Sequence, residues 1–148
     1  MTRGRSRAIL PDKKIIGGRA EGEALVTGQS LTFWGGIDPA SGVIIEAQHE
    51  LCGRAVTGKV LVFPRGSGSS SGCGVVMEML RRRNNPAALI NIETEAVLAL
   101  GPIIAQELYG RSFPIVTVKA AHFRQLRTGD RVVVDADAGE VLVEREGG

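Results

Sequence analysis

Lys59-Val60-Leu61-Val62-Phe63 constrains this chain most, because it is a near-continuous apolar run ended by Pro64 and followed by a glycine- and serine-rich loop, Arg65–Gly72. Such a run suits a strand covered on both faces, not one with a wet side. Beyond the loop, Val75, Val76, Met79 and Leu80 fall on one face of a helix, with Glu78, Arg81 and Arg82 elsewhere. Asn84-Asn85-Pro86 stops it. The alternation continues with a strand at 87–92, a helix at 94–109 and a buried strand at 114–118. Gly101-Pro102 should break or kink that second helix, since proline removes a backbone donor. Strand–helix–strand–helix–strand implies parallel strands joined by right-handed crossovers. Around this core, short strands are expected at 14–18, 23–27, 31–34 and 43–45, forming a glycine-punctuated meander. A hairpin at 131–134 and 141–143 closes the chain. The fold class is α/β with a parallel-strand core and flanking β meander and hairpin.

The 148 residues suit one domain, expected over 14–146 behind a basic, flexible leader at 1–13. Net charge is +2, much of the excess carried by Arg3, Arg5, Arg7, Lys13 and Lys14. A nucleic-acid surface more often interleaves a basic stripe with aromatics, and the six aromatic side chains here are scattered. No apolar stretch is long enough to span a membrane, and residues 1–10 lack the apolar run of a secretory signal. Cys52 and Cys73 form no CxxC pair and no cysteine–histidine cluster, which suits reduced thiols and argues against a metal site from this chain alone. These features point to the cytoplasm.

The loop is where chemistry concentrates. Glycines let backbone amides converge on a ligand, and the helix start behind them adds unpaired donors and partial positive charge. The hydroxyls of Ser67, Ser69, Ser70 and Ser71 are further donors. This can be an anion site for carboxylate or phosphate, or simply a flexible turn with a serine cap. A P-loop is excluded for want of its lysine, and a dinucleotide fingerprint fails where Ser71 replaces the third glycine. Gly68-Ser69-Ser70-Ser71-Gly72 does fit the nucleophile elbow of serine hydrolases, with Ser70 central and His122 the only later histidine.

At this loop the sequence resembles the swivel domain of the aconitase superfamily, whose Gly-x-Gly-Ser-Ser segment carries the catalytic serine. It is closer to the small subunit of the aconitase X branch. The likeness runs through Gly22–Val26, Phe33-Trp34-Gly35-Gly36-Ile37-Asp38-Pro39, Gly58–Pro64, Gly66–Ser70, Ala88–Asn91 and Thr128-Gly129-Asp130, in order over roughly residues 15 to 145. Ordinary aconitases have a carboxylate-binding arginine after the two serines; Ser71 stands there instead, as in aconitase X, and argues against tricarboxylates.

The resemblance implies a swivelling β/β/α domain that works as one chain of a two-chain dehydratase. The larger chain would hold an iron–sulfur or iron centre acting as Lewis acid, and this chain would bind no cofactor alone. Ser69 is implied as the base, with Arg65, Gly66, Ser67, Gly68, Ser70 and Ser71 around the substrate. The family includes dehydratases of cis-3-hydroxy-L-proline and of mevalonate 5-phosphate, and the loop favours the hydroxyproline enzymes. Other residues carry competing roles. Cys73 and Cys52 could ligate iron, but packing is the commoner use of a free cysteine. His49 could meet substrate across an interface or be an exposed turn residue. Asp38 could orient a ligand or simply start its Asp-Pro turn. Two other classes stay in play: a serine hydrolase using Ser70, and a non-catalytic swivelling module such as a phosphohistidine carrier.

Overall fold

The computed structural model describes residues 5–66 and 72–145. In chain order these form β1 (Arg5–Ile9), β2 (Lys13–Ile16), β3 (Arg19–Val26), β4 (Ile37–Asp38), β5 (Val43–Ile44), β6 (Val60–Val62), α1 (Gly72–Arg82), β7 (Ala88–Asn91), α2 (Ala96–Tyr109), β8 (Ile115–Thr117), α3 (Ala120–Phe123), β9 (Arg131–Asp135) and β10 (Glu140–Arg145). Every residue of β6, β7 and β8 is buried, as their unbroken apolar character requires. They are parallel neighbours, and β3 extends the parallel set on the β6 side.

The large sheet has the order β1-β10-β9-β3-β6-β7-β8-β2, and β4 and β5 make a separate small hairpin. β3 joins two halves: its start pairs antiparallel with β9 and its end pairs parallel with β6. Alternation along the strands then sorts residues to two cores. Leu25, Leu61 and Leu89 face Val75, Val76, Met79 and Leu80 of α1 and Leu98 of α2. Val60, Val62, Ala88 and Ile90 face the other way, against Val132, Val134, Val141 and Val143 of β9 and β10 and Phe123 of α3. The sheet therefore curls on itself, with the long helices α1 and α2 on one face and the short α3 on the other.

Three expectations differ from the structure. Part of the segment read as a flexible leader is strand: Arg5–Ile9 pairs with β10 at the sheet edge, and Ile9 is buried in the second core. Basic residues on an edge strand block further pairing, so their charge disguised the strand as a solvated tail. The strand expected at 31–34 reduces to one parallel bridge between Leu31 and Gly66. Finally, α2 runs unbroken through Pro102. Close packing offsets the lost bond: a Cβ on Gly101 would lie 2.8 Å from Val76 and 3.1 Å from the Cys73 carbonyl, so α1 and α2 touch almost backbone to backbone.

Thr128-Gly129-Asp130 is a clasp between the halves. The Val26 amide donates to Thr128 Oγ1, the Gly129 amide to the Ala24 carbonyl, and the Ala24 amide to the Asp130 carbonyl. The buried Asp130 carboxylate receives both Nε and Nη2 of Arg145 at 2.8 Å and the Arg127 amide at 2.9 Å. Burial by itself would push this carboxyl up. The Arg145 hydrogen bonds, the Arg127 amide and the two guanidinium charges together outweigh it and hold the group below the ordinary aspartate range. A lowered folded-state pKa stabilises above the unfolded value of about 4 and is lost as pH falls through the folded one. Arg145→Ala should therefore lower the urea midpoint at pH 7, and lower it less near pH 2. An equal drop at both pH values contradicts the ion pair as its source.

Candidate functional site

The stem of the loop at 65–72 is held from both sides. At the end of β6, Asn91 Nδ2 donates to the Phe63 carbonyl at 2.9 Å, and the amides of Ile92 and Glu93 both donate to the Pro64 carbonyl. The Leu31 amide donates to the Arg65 carbonyl. Asn91 is fully buried and its Oδ1 accepts from Thr94, so one side chain links the exits of β6 and β7. These are the carboxyl ends of adjacent parallel strands, where open α/β sheets place their ligands.

Gly66 and Gly72 bracket the loop and line one cleft with Leu31, Phe33, Trp34, Glu95 and Leu98. Two helix starts meet here. α1 begins at Gly72 with no acidic residue in its first turn, so nothing on that turn neutralises its positive end. α2 begins after Glu95, whose carboxylate makes no capping bond; its Oε1 lies 3.1 Å from where a Cβ on Gly66 would sit. The opposite wall is built by a turn. Gly35 has φ 74°, and a Cβ on Gly36 would stand 1.9 Å from the Thr32 carbonyl oxygen, so the bend admits no side chain there. It buries Phe33 against Phe63, ring centroids 6.1 Å apart, and leaves Trp34 outside at the cleft.

Of the residues expected at the site, Arg65 is exposed and Gly66 half-buried at the cleft. Ser67, Gly68, Ser69, Ser70 and Ser71 lie outside the described residues. Asp38 does its turn work, its Oδ1 accepting from the Ala40 amide and its Oδ2 from the Ser41 hydroxyl. His49 is buried, not an exposed turn residue: Nδ1 accepts from the Leu51 amide, which leaves Nε2 to donate to the Ser30 carbonyl. Both ring nitrogens are thus engaged by backbone groups. Cys52 is exposed, Cys73 is half-buried in α1, and both are free thiols. His122 is not among the described residues that line the cleft, and its Nδ1 is buried with no partner among the described residues. Among the described residues no three His, Cys, Asp or Glu side chains gather as a metal site. An iron centre does not fit the described residues of this chain.

Sequence reasoning passed over Glu95 and took Asn91 only as part of the family likeness, with no role at the site. Their signal was positional, since both sit at the exit of the strand next to the one that bears the loop.

Together the topology and the cleft define a mixed α/β swivel domain, a curled sheet with a parallel core and a separate small hairpin, with the cleft at the carboxyl ends of its parallel strands. The chain belongs to the aconitase X family: the family's model, described as the aconitase X swivel domain, matches residues 9–143. It is 39% identical over 138 residues to the phosphomevalonate dehydratase small subunit of Thermococcus kodakarensis, covering 93% of this chain and 98% of that one. It is 41% identical over 107 residues to the cis-3-hydroxy-L-proline dehydratase of Pseudomonas aeruginosa, which is 72% of this chain but only 18% of that protein. The crystal structure of Thermococcus kodakaraensis aconitase X in its holo-form superposes with a TM-score of 0.81 at 38% identity, covering 95% of this chain and 98% of that one. The protein is thus the small subunit of an aconitase X hydro-lyase, which implies a large-subunit partner. No helix among the described residues is long and apolar enough to cross a membrane.

The clamp at Asn91 is testable. Asn91→Ala strands the buried Phe63 carbonyl and should cost about 1–3 kcal/mol in urea unfolding. It should also speed proteolytic cleavage within residues 65–72. Unchanged stability and cleavage mean the stem is held by something else.

Proposed function

We propose that this subunit completes a dehydratase of mevalonate 5-phosphate, with Ser69 as the base. The observation that carries the substrate is the near full-length match to a phosphomevalonate dehydratase small subunit, a separate chain of almost the same extent. This reverses the preference for hydroxyproline drawn from the loop. The hydroxyproline enzyme also matches at 41%, but within a far longer chain, and remains the second reading.

Mevalonate 5-phosphate is a carboxylate with a hydroxyl on the β-carbon. Loss of water needs a base for the proton on the α-carbon and an acid for the hydroxyl. A serine hydroxyl is a weak base in water and serves only where donors and positive charge stabilise its alkoxide. The start of α1, the glycine amides of the loop and Arg65 supply that charge in this reading. Ser69 takes the α-proton, the electron pair of that C–H bond forms the new double bond, and the β-carbon–oxygen bond breaks to release water. Arg65, Gly66, Ser67, Gly68, Ser70 and Ser71 hold the carboxylate or phosphate. Protonation of the leaving hydroxyl falls to the large subunit, where the iron–sulfur or iron centre implied by the family resemblance would also reside. Two free cysteines suit a reducing cytoplasm.

With the two-chain enzyme assembled, Ser69→Ala should lower kcat for mevalonate 5-phosphate by at least about 10²-fold without loss of subunit binding. Ser70→Ala should be milder, and cis-3-hydroxy-L-proline should not be turned over. Near-normal turnover by Ser69→Ala removes the base assignment, and hydroxyproline turnover in place of phosphomevalonate turnover removes the substrate.

A further inference from the structure

Helix α2 is apolar on two opposite faces. Its inner face is made of small or compact residues, Ala99, Gly101, Pro102 and Ala105 with Leu98, all buried against α1 and the sheet. Its outer face carries the bulk: Val97, Leu100, Ile103, Ile104 and Leu108, interrupted only by Glu107, the single charged residue of the helix. Leu100, Ile103 and Leu108 are 45%, 50% and 62% exposed. A helix hydrophobic all round is normally covered all round. Here the larger side chains face out, and the spacing of three and four residues aligns them in one stripe.

That stripe begins at the cleft. Val97 and Leu98 line it beside Gly66 and Gly72, and Trp34, 60% exposed, stands on the same rim. The protein is a small subunit, and the hydroxyproline relative carries the matching region as 18% of one long chain. A large subunit that completes the site at this cleft would lie beside the start of α2, where Val97 and Leu98 line it. We infer that the outer face of α2, from Val97 through Ile103, together with Trp34, is the seat of the large subunit, which contributes a complementary apolar surface. This rests on the two-chain reading above but not on the identity of the substrate. Apolar patches of this kind mark protein contacts, and their centre usually carries most of the binding.

The test is the affinity of full-length wild-type and variant chains for the isolated large subunit. Leu100→Glu with Ile103→Glu should weaken binding at least about 100-fold while the free chain keeps its native circular dichroism and unfolding transition. Glu140→Lys, on β10 in the other half of the sheet, should leave affinity within about threefold. Should the double variant not fold, Trp34, the only tryptophan, serves in the wild-type chain: labelled with 5-fluorotryptophan, its 19F resonance should shift when the large subunit is added. Unweakened binding by a folded double variant, equal weakening by Glu140→Lys, or an unmoved Trp34 resonance in the formed complex overturns the proposal. Loss of self-association in the double variant with normal binding of the large subunit also overturns it, and assigns the face to a second copy. Intact binding without turnover of mevalonate 5-phosphate would count against the substrate alone.

Discussion

Two carbonyls at the end of β6 govern the architecture around the cleft. Phe63 and Pro64 could each end in solvent, yet both are taken by the exit of β7, one by the Asn91 side chain and the other by the Ile92 and Glu93 amides. That fixes where the loop leaves the sheet. The near-contact of Gly101 with Val76 and the Cys73 carbonyl holds α1 against α2 and so fixes the helix to which the loop returns at Gly72. Both ends of the loop, the exit of β6 and the start of α1, are therefore anchored by named contacts.

On the proposed reading, this chain supplies part of a site that its large-subunit partner completes. Its described residues supply a positive helix start, a carboxylate at Glu95, an exposed arginine and an indole at the rim, but no gathered metal donors. In the proposed reading the large subunit supplies the rest, seated on an α2 that is compact inward and bulky outward.

The core alternation was legible because burial on both faces leaves an unmistakable apolar run in β6 and β7, and α1 shows a clean helical stripe. What escaped did so for physical reasons. β1 is an edge strand whose arginines mimic a solvated tail. Pro102 looked like a helix breaker because packing at Gly101 is a tertiary fact with no local signature. His49 could not be placed from its neighbours, since its partner Ser30 lies nineteen residues away and the burial comes from the turn region between β3 and β5. The loop motif gave the family and the implied base, but it could not rank two substrates that both offer a carboxylate and a leaving hydroxyl. That ranking came from the extent of the chain matched.

The central claim is that proton abstraction requires both chains, with this one contributing the acceptor. The direct measurement is deuterium wash-in at the carbon beside the carboxylate of mevalonate 5-phosphate, followed by NMR in D2O with each chain separately and with the two combined. The account predicts incorporation only from the assembled pair. Incorporation at a comparable rate by the large subunit alone would contradict it.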